Sequence, residues 1–306
     1  MLILEEIYIK RIIPAIRSYI VKNHDPRIMT WSELARKIGV TPPAVKKYAA
    51  TDIYRYIPPQ IYSEIEEDLI KFRNLLYKPG VTRRALNETL MNLWISWVSR
   101  GIICRLIRRY SPSLEEDCRE VMSYYIDILI NRAILEVEKA FTIFRNIPSI
   151  ARYIPEVSTN IVRLIEAGDN PSRYPVVGFP GRIVAVNNEV RVYDRPVIGG
   201  SRHMGRVLRK LHILNRGIKG LTGIGYNHGV EIAANKLGMD RIDIDAVSDD
   251  ALIELIVEPA DIIIDRGGYG RIPFIYISGV DAQDAVNKLK DLIEYVEGYL
   301  HAKENW

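Results

Sequence analysis

Three glycine-rich turns in the C-terminal half of this 306-residue chain each carry arginine, a combination suited to holding a phosphate. Gly178-Phe179-Pro180-Gly181-Arg182 precedes a β-branched run, and Gly199-Gly200-Ser201-Arg202-His203 opens a helical pattern. Asp265-Arg266-Gly267-Gly268-Tyr269-Gly270-Arg271 follows the apolar run Ile262–Ile264. Glycine lets backbone N–H groups converge on a ligand, and the free N–H groups at a helix start favour an anion. Arginine adds a forked donor that matches phosphate oxygens. The third turn falls at the carboxyl end of its predicted strand, where α/β folds place ligands. Together the three turns suggest a phosphorylated ligand.

A second chemistry is written near the N-terminus. Thr30 and Glu33 have the spacing of a capping box, Leu34, Ala35 and Ile38 share a helical face, and Gly39 suits a left-handed helix end. Thr41 can cap a second helix with Pro42 in its first turn, and Val45 and Tyr48 supply its buried face. Small Ala35 permits close approach, so the spacing predicts a helix-turn-helix whose second helix enters a major groove. Thr41, Pro43, Lys46 and Lys47 then face outward, with the lysines toward double-stranded DNA. The alternative is a plain helical hairpin with two solvated lysines. Charge favours DNA: residues 1–60 hold ten Lys/Arg against five Asp/Glu, residues 61–150 thirteen against twelve, and residues 151–306 nineteen against twenty-one.

The elements that must position these residues follow from periodicity. An amphipathic helix from Glu6 to Val21 carries Ile7, Ile9, Ile12, Ile13, Ile16 and Ile20 as core for the motif. Longer helices fill the middle region, divided at Lys78-Pro79-Gly80 and at Tyr110-Ser111-Pro112-Ser113. Ser113 and Glu116 predict a capped helix running to about Asn146, and its broad apolar stripe suggests homodimerisation through residues 80–146. From about Ile147 short β-branched runs alternate with helical patterns. Arg182–Val186 and Val190–Tyr193 flank Asn187-Asn188 as a hairpin, and a helix follows from about Arg202 to Asn215. The expected fold is therefore multidomain and all-α, then α/β. It comprises a helix-turn-helix domain (1–60), a helical linker or dimerisation region (61–146) and a ligand-binding domain (147–306). Cys104 and Cys118 read as apolar packing residues, too few for a zinc site, so no metal is expected. With no apolar run of membrane length and an acidic start, the chain reads as cytoplasmic, with no membrane partner.

Four separated motifs resemble the ThiN family of thiamine-phosphate synthases, over about residues 147–295. They are Ile154-Pro155-Glu156-Val157 with Asn160, Pro180-Gly181-Arg182-Ile183-Val184, Gly200-Ser201-Arg202-His203, and Asp265-Arg266-Gly267 with Pro273. The segment Leu4 to Tyr48, with Ile13-Pro14-Ala15-Ile16-Arg17, is similar to the archaeal ThiR regulators. These join a helix-turn-helix to a ThiN domain and repress thiamine-biosynthesis genes. The resemblance implies a ligand, thiamine monophosphate or diphosphate, held by Gly181, Arg182, Ser201, Arg202, His203, Asp265, Arg266 and Gly267, with no cofactor. ThiN enzymes couple hydroxymethylpyrimidine diphosphate to thiazole phosphate; if this domain did so, His203 would be the catalytic residue. The chain departs from the enzymes where they carry an Asn-containing stretch (Thr222–Tyr226 here), an acid (Gly268) and Lys-Glu (Arg271-Ile272). Those losses imply a sensor without catalysis, the alternative being an active synthase. A third reading takes Gly223–Gly229 with Asp243 as a dinucleotide loop, although the regular glycine spacing is missing.

Overall fold

The computed structural model describes residues 4–110, 115–168 and 170–304. The chain divides into two compact units, Met1–Ile126 and Asp127–Trp306. The first is helical and the second carries a mixed sheet.

The N-terminal helix runs as α1 (Leu4–Ile7), a π-turn (Tyr8–Ile12) and α2 (Ile13–Lys22). The π-turn directly precedes Pro14, which has no N–H to give and whose ring would crowd the carbonyl four residues back. Ile7, Ile12, Ile16 and Ile20 are buried, whereas Ile9 is 65% exposed. The short helices α3 (Trp31–Lys37) and α4 (Pro42–Ala50) follow. The capping box forms: the Thr30 N–H donates to Glu33 Oε2 at 3.0 Å, and the Thr30 hydroxyl accepts from the Glu33 N–H. Gly39 turns the chain at φ +68°, and Leu34, Ala35 and Val45 are buried. Thr41 is the N-cap of α4, yet its side chain caps nothing. Pro42 and Pro43 remove two N–H groups, and the Ala44 N–H bonds the Thr41 carbonyl instead. The buried Ser18 hydroxyl lies 3.2 Å and 2.9 Å from the Tyr48 and Thr51 carbonyls, so α2 satisfies the C-terminal end of α4.

Helices α5 (Pro59–Tyr77), α6 (Arg83–Ser99), α7 (Ile102–Tyr110) and α8 (Glu115–Arg145) complete the helical run. Trp97 is fully buried and donates its indole N–H to Asp68 at 2.8 Å. Cys104 and Cys118 correct the sequence expectation: they form a disulfide. The bridge joins α7 to α8, with the two Cα atoms 5.6 Å apart, a bridging distance. Ser113, the cap predicted for α8, lies outside the described residues. No single helix among the described residues is long and apolar enough to cross a membrane.

In the second unit seven strands form one sheet: β1 (Ile161–Leu164), β2 (Val176–Gly178), β5 (Val197–Ile198), β6 (Gly220–Gly225), β7 (Arg241–Ile244), β8 (Ile262–Asp265) and β9 (Phe274–Gly279). Their order is β5-β2-β1-β6-β9-β8-β7, antiparallel throughout except for β7 beside β8. The hairpin β3 (Ile183–Val186) and β4 (Glu189–Val192) stands apart and turns on Asn187 and Asn188, both left-handed. On one face α9 (Arg202–Leu214) and α11 (Asp249–Leu255) bury Val207, Leu208, Leu211 and Leu252 against Leu164, Leu221 and Ile263. α12 (Ala282–Glu304) packs on β6 and β9, beside α10 (His228–Lys236).

The glycine-rich stretch of the dinucleotide reading is the end of β6, the link Tyr226-Asn227 and the start of α10. A Cβ on Gly223 would lie 2.2 Å from the Phe274 ring, and one on Gly225 3.2 Å from Pro155. These glycines admit neighbouring protein rather than phosphate. His228 then opens α10, where Asn227 caps the Val230 N–H.

Candidate functional site

The sheet and hairpin bring five chain segments around one cleft of about 340 Å³. They are the approach to β1, the turn before β3, the starts of α9 and α11, and the loop between β8 and β9. Asn160, from the first motif, is buried and organises the turn. Its Nδ2 donates to the Phe179 carbonyl at 2.8 Å, and its Oδ1 accepts from the Phe179 and Ile161 N–H groups, both at 2.9 Å. This clamp sets up Gly181 and Arg182, which adopt φ of +70° and +71° in succession. A left-handed arginine is costly, and such strain persists where surrounding structure holds it. The Arg182 guanidinium donates to the Val157 carbonyl at 2.5 Å on the cleft wall.

Ser201 is the N-cap of α9, but its hydroxyl caps no backbone N–H. The first N–H groups of a 13-residue helix therefore lack a side-chain cap, beside a hydroxyl that lines the cleft. His203 lies one residue into the helix. Its Nε2 is 2.7 Å from the Tyr276 hydroxyl and its Nδ1 2.9 Å from Asp249 Oδ2. Burial raises the Tyr276 hydroxyl above its ordinary pKa, keeping it protonated and a donor. Burial also pushes Asp249 upward. The Arg271 hydrogen bond and the His203 charge outweigh that, so its carboxyl lies below the ordinary range. The consistent tautomer has Nδ1–H donating to Asp249 and Nε2 accepting from Tyr276. An imidazole held this way can take a proton at Nε2 while Asp249 steadies the cation that results.

Beneath this row lies Asp265, fully buried. Its Oδ2 receives Arg271 Nη2 at 2.6 Å and Nε at 3.2 Å, and its Oδ1 accepts from the Gly267 N–H at 3.0 Å. Arg271 Nη1 continues to Asp249 Oδ1 at 2.5 Å. Gly267 is left-handed at φ +72°, and a Cβ there would meet the Arg271 carbonyl oxygen at 2.5 Å. The Asp-Arg-Gly turn thus serves chiefly to seat Arg271 on the cleft.

The structure brings Arg182, Ser201 and His203 together on the cleft, with Gly181, Asp265 and Gly267 supporting them, and places Arg202 and Arg266 elsewhere. Gly181 shapes the turn, and Asp265 and Gly267 act from below. Arg202 is exposed and is not part of the cleft lining. Arg266 leaves for another cluster, donating to Glu231 at 2.8 Å and Asp243 at 2.9 Å and lying over the Tyr226 ring. Hydrogen bonds from Arg266 and then Tyr226 hold Glu231 at about 2. Sequence reasoning missed Asp249, Arg271 and Tyr276 as site residues. Arg271 was in view as the end of the third turn, and Tyr276 shares a strand face with Phe274. Asp249, in Ser248-Asp249-Asp250, looks like any acidic helix start. On the exposed side of α4, Thr41, Pro43, Lys46 and Lys47 all face solvent.

Comparison with known proteins bears on the second unit. Residues 136–291, just over half of the chain, match the family described as thiamine-phosphate synthase ThiN. The Thiamine-phosphate synthase ThiN of Methanothermobacter thermautotrophicus is 27% identical over 169 residues, spanning 49% of this chain and 87% of that protein. Among solved structures, the C-terminal domain of a phosphomethylpyrimidine kinase is similar at 24% identity, covering 53% of this chain and 98% of that one (TM-score 0.45). The C-terminal domain of protein MJ0236 is similar at 23% identity, covering 55% and 97% (TM-score 0.47).

Proposed function

The chain belongs to the thiamine-phosphate synthase family ThiN, and we propose that its family domain is the sensor of a DNA-binding regulator, with thiamine monophosphate or diphosphate as ligand. One observation carries the ligand reading: the start of α9, free of a side-chain cap, shares its cleft with Arg182 and Arg271. A phosphate there meets backbone N–H groups, the Ser201 hydroxyl and cationic forks. The carboxylate facing the ligand's cationic ring is Asp249, which lines the cleft, since Asp265 is fully buried beneath Arg271. Ile272, where the enzymes carry an acid, lines the same cleft and supplies neither charge nor proton. Binding is thereby favoured over turnover.

The regulatory half of the proposal rests on α3 and α4. Their tight turn, the outward Thr41, Pro43, Lys46 and Lys47, and the excess cations of residues 1–60 suit a helix-turn-helix on duplex DNA. Such a protein represses thiamine-biosynthesis genes as a homodimer. Half-exposed Ile128, Leu129, Ile130 and Ile134 on α8 offer the contact. A second reading, synthase activity, is favoured by the Asp249–His203–Tyr276 row, which keeps a proton acceptor in place.

Three measurements on the full chain decide between these. Calorimetry should give affinity for thiamine monophosphate or diphosphate that Arg182→Ala and Ser201→Asp both abolish. Duplex DNA from thiamine-gene promoters should bind with a steep salt dependence, weakened by Lys46→Ala with Lys47→Ala. Mixing pyrimidine diphosphate with thiazole phosphate should yield no thiamine monophosphate. Product whose formation His203→Ala stops would replace the sensor with the synthase.

A further inference from the structure

A cavity of about 560 Å³ in the first unit belongs to neither role described so far. It opens between the π-turn and α2, the end of α3, the end of α5 and the start of α6. Its floor and walls are apolar, with Ile13, Ile16, Ile20, Phe72, Leu86 and Leu90 among them. Ile9, 65% exposed, stands at its border. Four cations line the same space, namely Arg17, Arg36, Lys37 and Arg83, and not one Asp or Glu does. Lys37 is engaged, donating to the Leu76 carbonyl at the end of α5 at 2.8 Å. Arg17, Arg36 and Arg83 make no hydrogen bond or ion pair with the described residues, although Arg36 lies in the field of the capping residue Glu33.

An apolar cavity lined by guanidinium groups and by no carboxylate among the described residues has a definite complement. Its volume lies in the range of small-molecule sites, roughly 300–1,000 Å³. Apolar walls reward a hydrocarbon body. Guanidinium forks in a space that no carboxylate lines reward a carboxylate or phosphate head and repel a cation. We propose that this cavity binds an amphipathic small anion, an alkyl or acyl chain ending in a carboxylate or phosphate. The Ile13-Pro14-Ala15-Ile16-Arg17 segment is its floor. Pro14 forces the wide turn whose residues Tyr8 and Ile9 border the opening, while Ile13, Ile16 and Arg17 face into it. The cationic ring of thiamine is a poor fit here, so this site is distinct from the cleft of the second unit.

Full-length protein titrated with decanoate, decyl phosphate and decyltrimethylammonium, each below its micelle concentration, tests the assignment. One or both anions should bind at one site per chain, and the preferred head distinguishes a carboxylate from a phosphorylated ligand. The cation should not bind. Arg17→Ala with Arg83→Ala should weaken anion binding about tenfold or more, the scale of lost charge-assisted contacts. Asn87→Trp, at an exposed position on the cavity border, should fill the opening and abolish binding with the circular dichroism unchanged. Equal binding of anion and cation, or full binding by Asn87→Trp, overturns the proposal. So does a chain that binds neither anion but forms a dimer split by Asn87→Trp, since a second copy would then occupy the cavity.

Discussion

Asp265 is a carboxyl group with no access to water, and Arg271 is its charged partner. Removing one partner of a buried pair leaves the other uncompensated, at a cost of about 3–5 kcal/mol. Arg271→Ala should therefore lower the stability of the second unit by that order in urea melts. Asp249→Asn, at a carboxylate 49% exposed, should cost under about 1 kcal/mol. Equal losses would mean that Asp265 is not held as described. Glu231 offers a pH readout. Hydrogen bonds from Arg266 and Tyr226 lower it from its ordinary 4.5 to about 2 in the folded chain. Its stabilisation is then complete above pH 4.5 and is lost as pH falls toward 2. Glu231→Gln should flatten the acid limb of stability across that window, and an unchanged limb would rule the linkage out.

At the scale of elements, β6 shows how glycine serves packing. Gly223 leaves no room for a Cβ beside Phe274, whose ring completes the apolar face under α9. Gly223→Ala should cost about 1–3 kcal/mol through overpacking. Gly238, left-handed after α10 with open space around it, should cost only about 1 kcal/mol when made alanine, through backbone conformation alone. Thermal melts of the two variants separate crowding from conformation, because Phe274→Leu should rescue the first and leave the second untouched. If Gly223→Ala proves neutral, β6 and β9 are not packed as closely as the register implies.

Across the whole molecule, two units hold separate cores. One is built on Ile16, Leu34, Trp97 and Leu106, the other on Leu208, Leu221 and Ile263. Separate cores predict two unfolding transitions in calorimetry. The Cys104–Cys118 bridge closes a 14-residue separation in the first core. Entropy models give a loop of that size about 3 kcal/mol of stabilisation. A reductant, or both cysteines changed to serine, should move the first unit's transition down and leave the second in place. A shift of both together would mean that the units unfold as one.

Local rules were legible in the residues themselves. Capping chemistry at Thr30-Glu33, the bend at Gly39, the Asn187-Asn188 hairpin and the helix from Arg202 all act over a few neighbours, so their spacing alone determined them. The phosphate-suited turns were visible for the same reason, since glycine and arginine declare their freedom and charge in any context. What the turns do to one another was not visible. Asp265 and Arg266 are adjacent in sequence, yet strand alternation sends one under Arg271 and the other to Glu231. Ser201 and Arg202 differ likewise, because a helix start aims only some side chains at the cleft. Asp249 and Tyr276 lie 46 and 73 residues from His203, and only the folded sheet brings them to its two ring nitrogens. The cysteines tell the same story: spacing could not reveal a bridge that depends on how two helices pack. Side-chain identity supplies the available chemistry, whereas long-range packing chooses the partners. That choice belongs to tertiary structure because contacts between distant segments form only when the whole core closes.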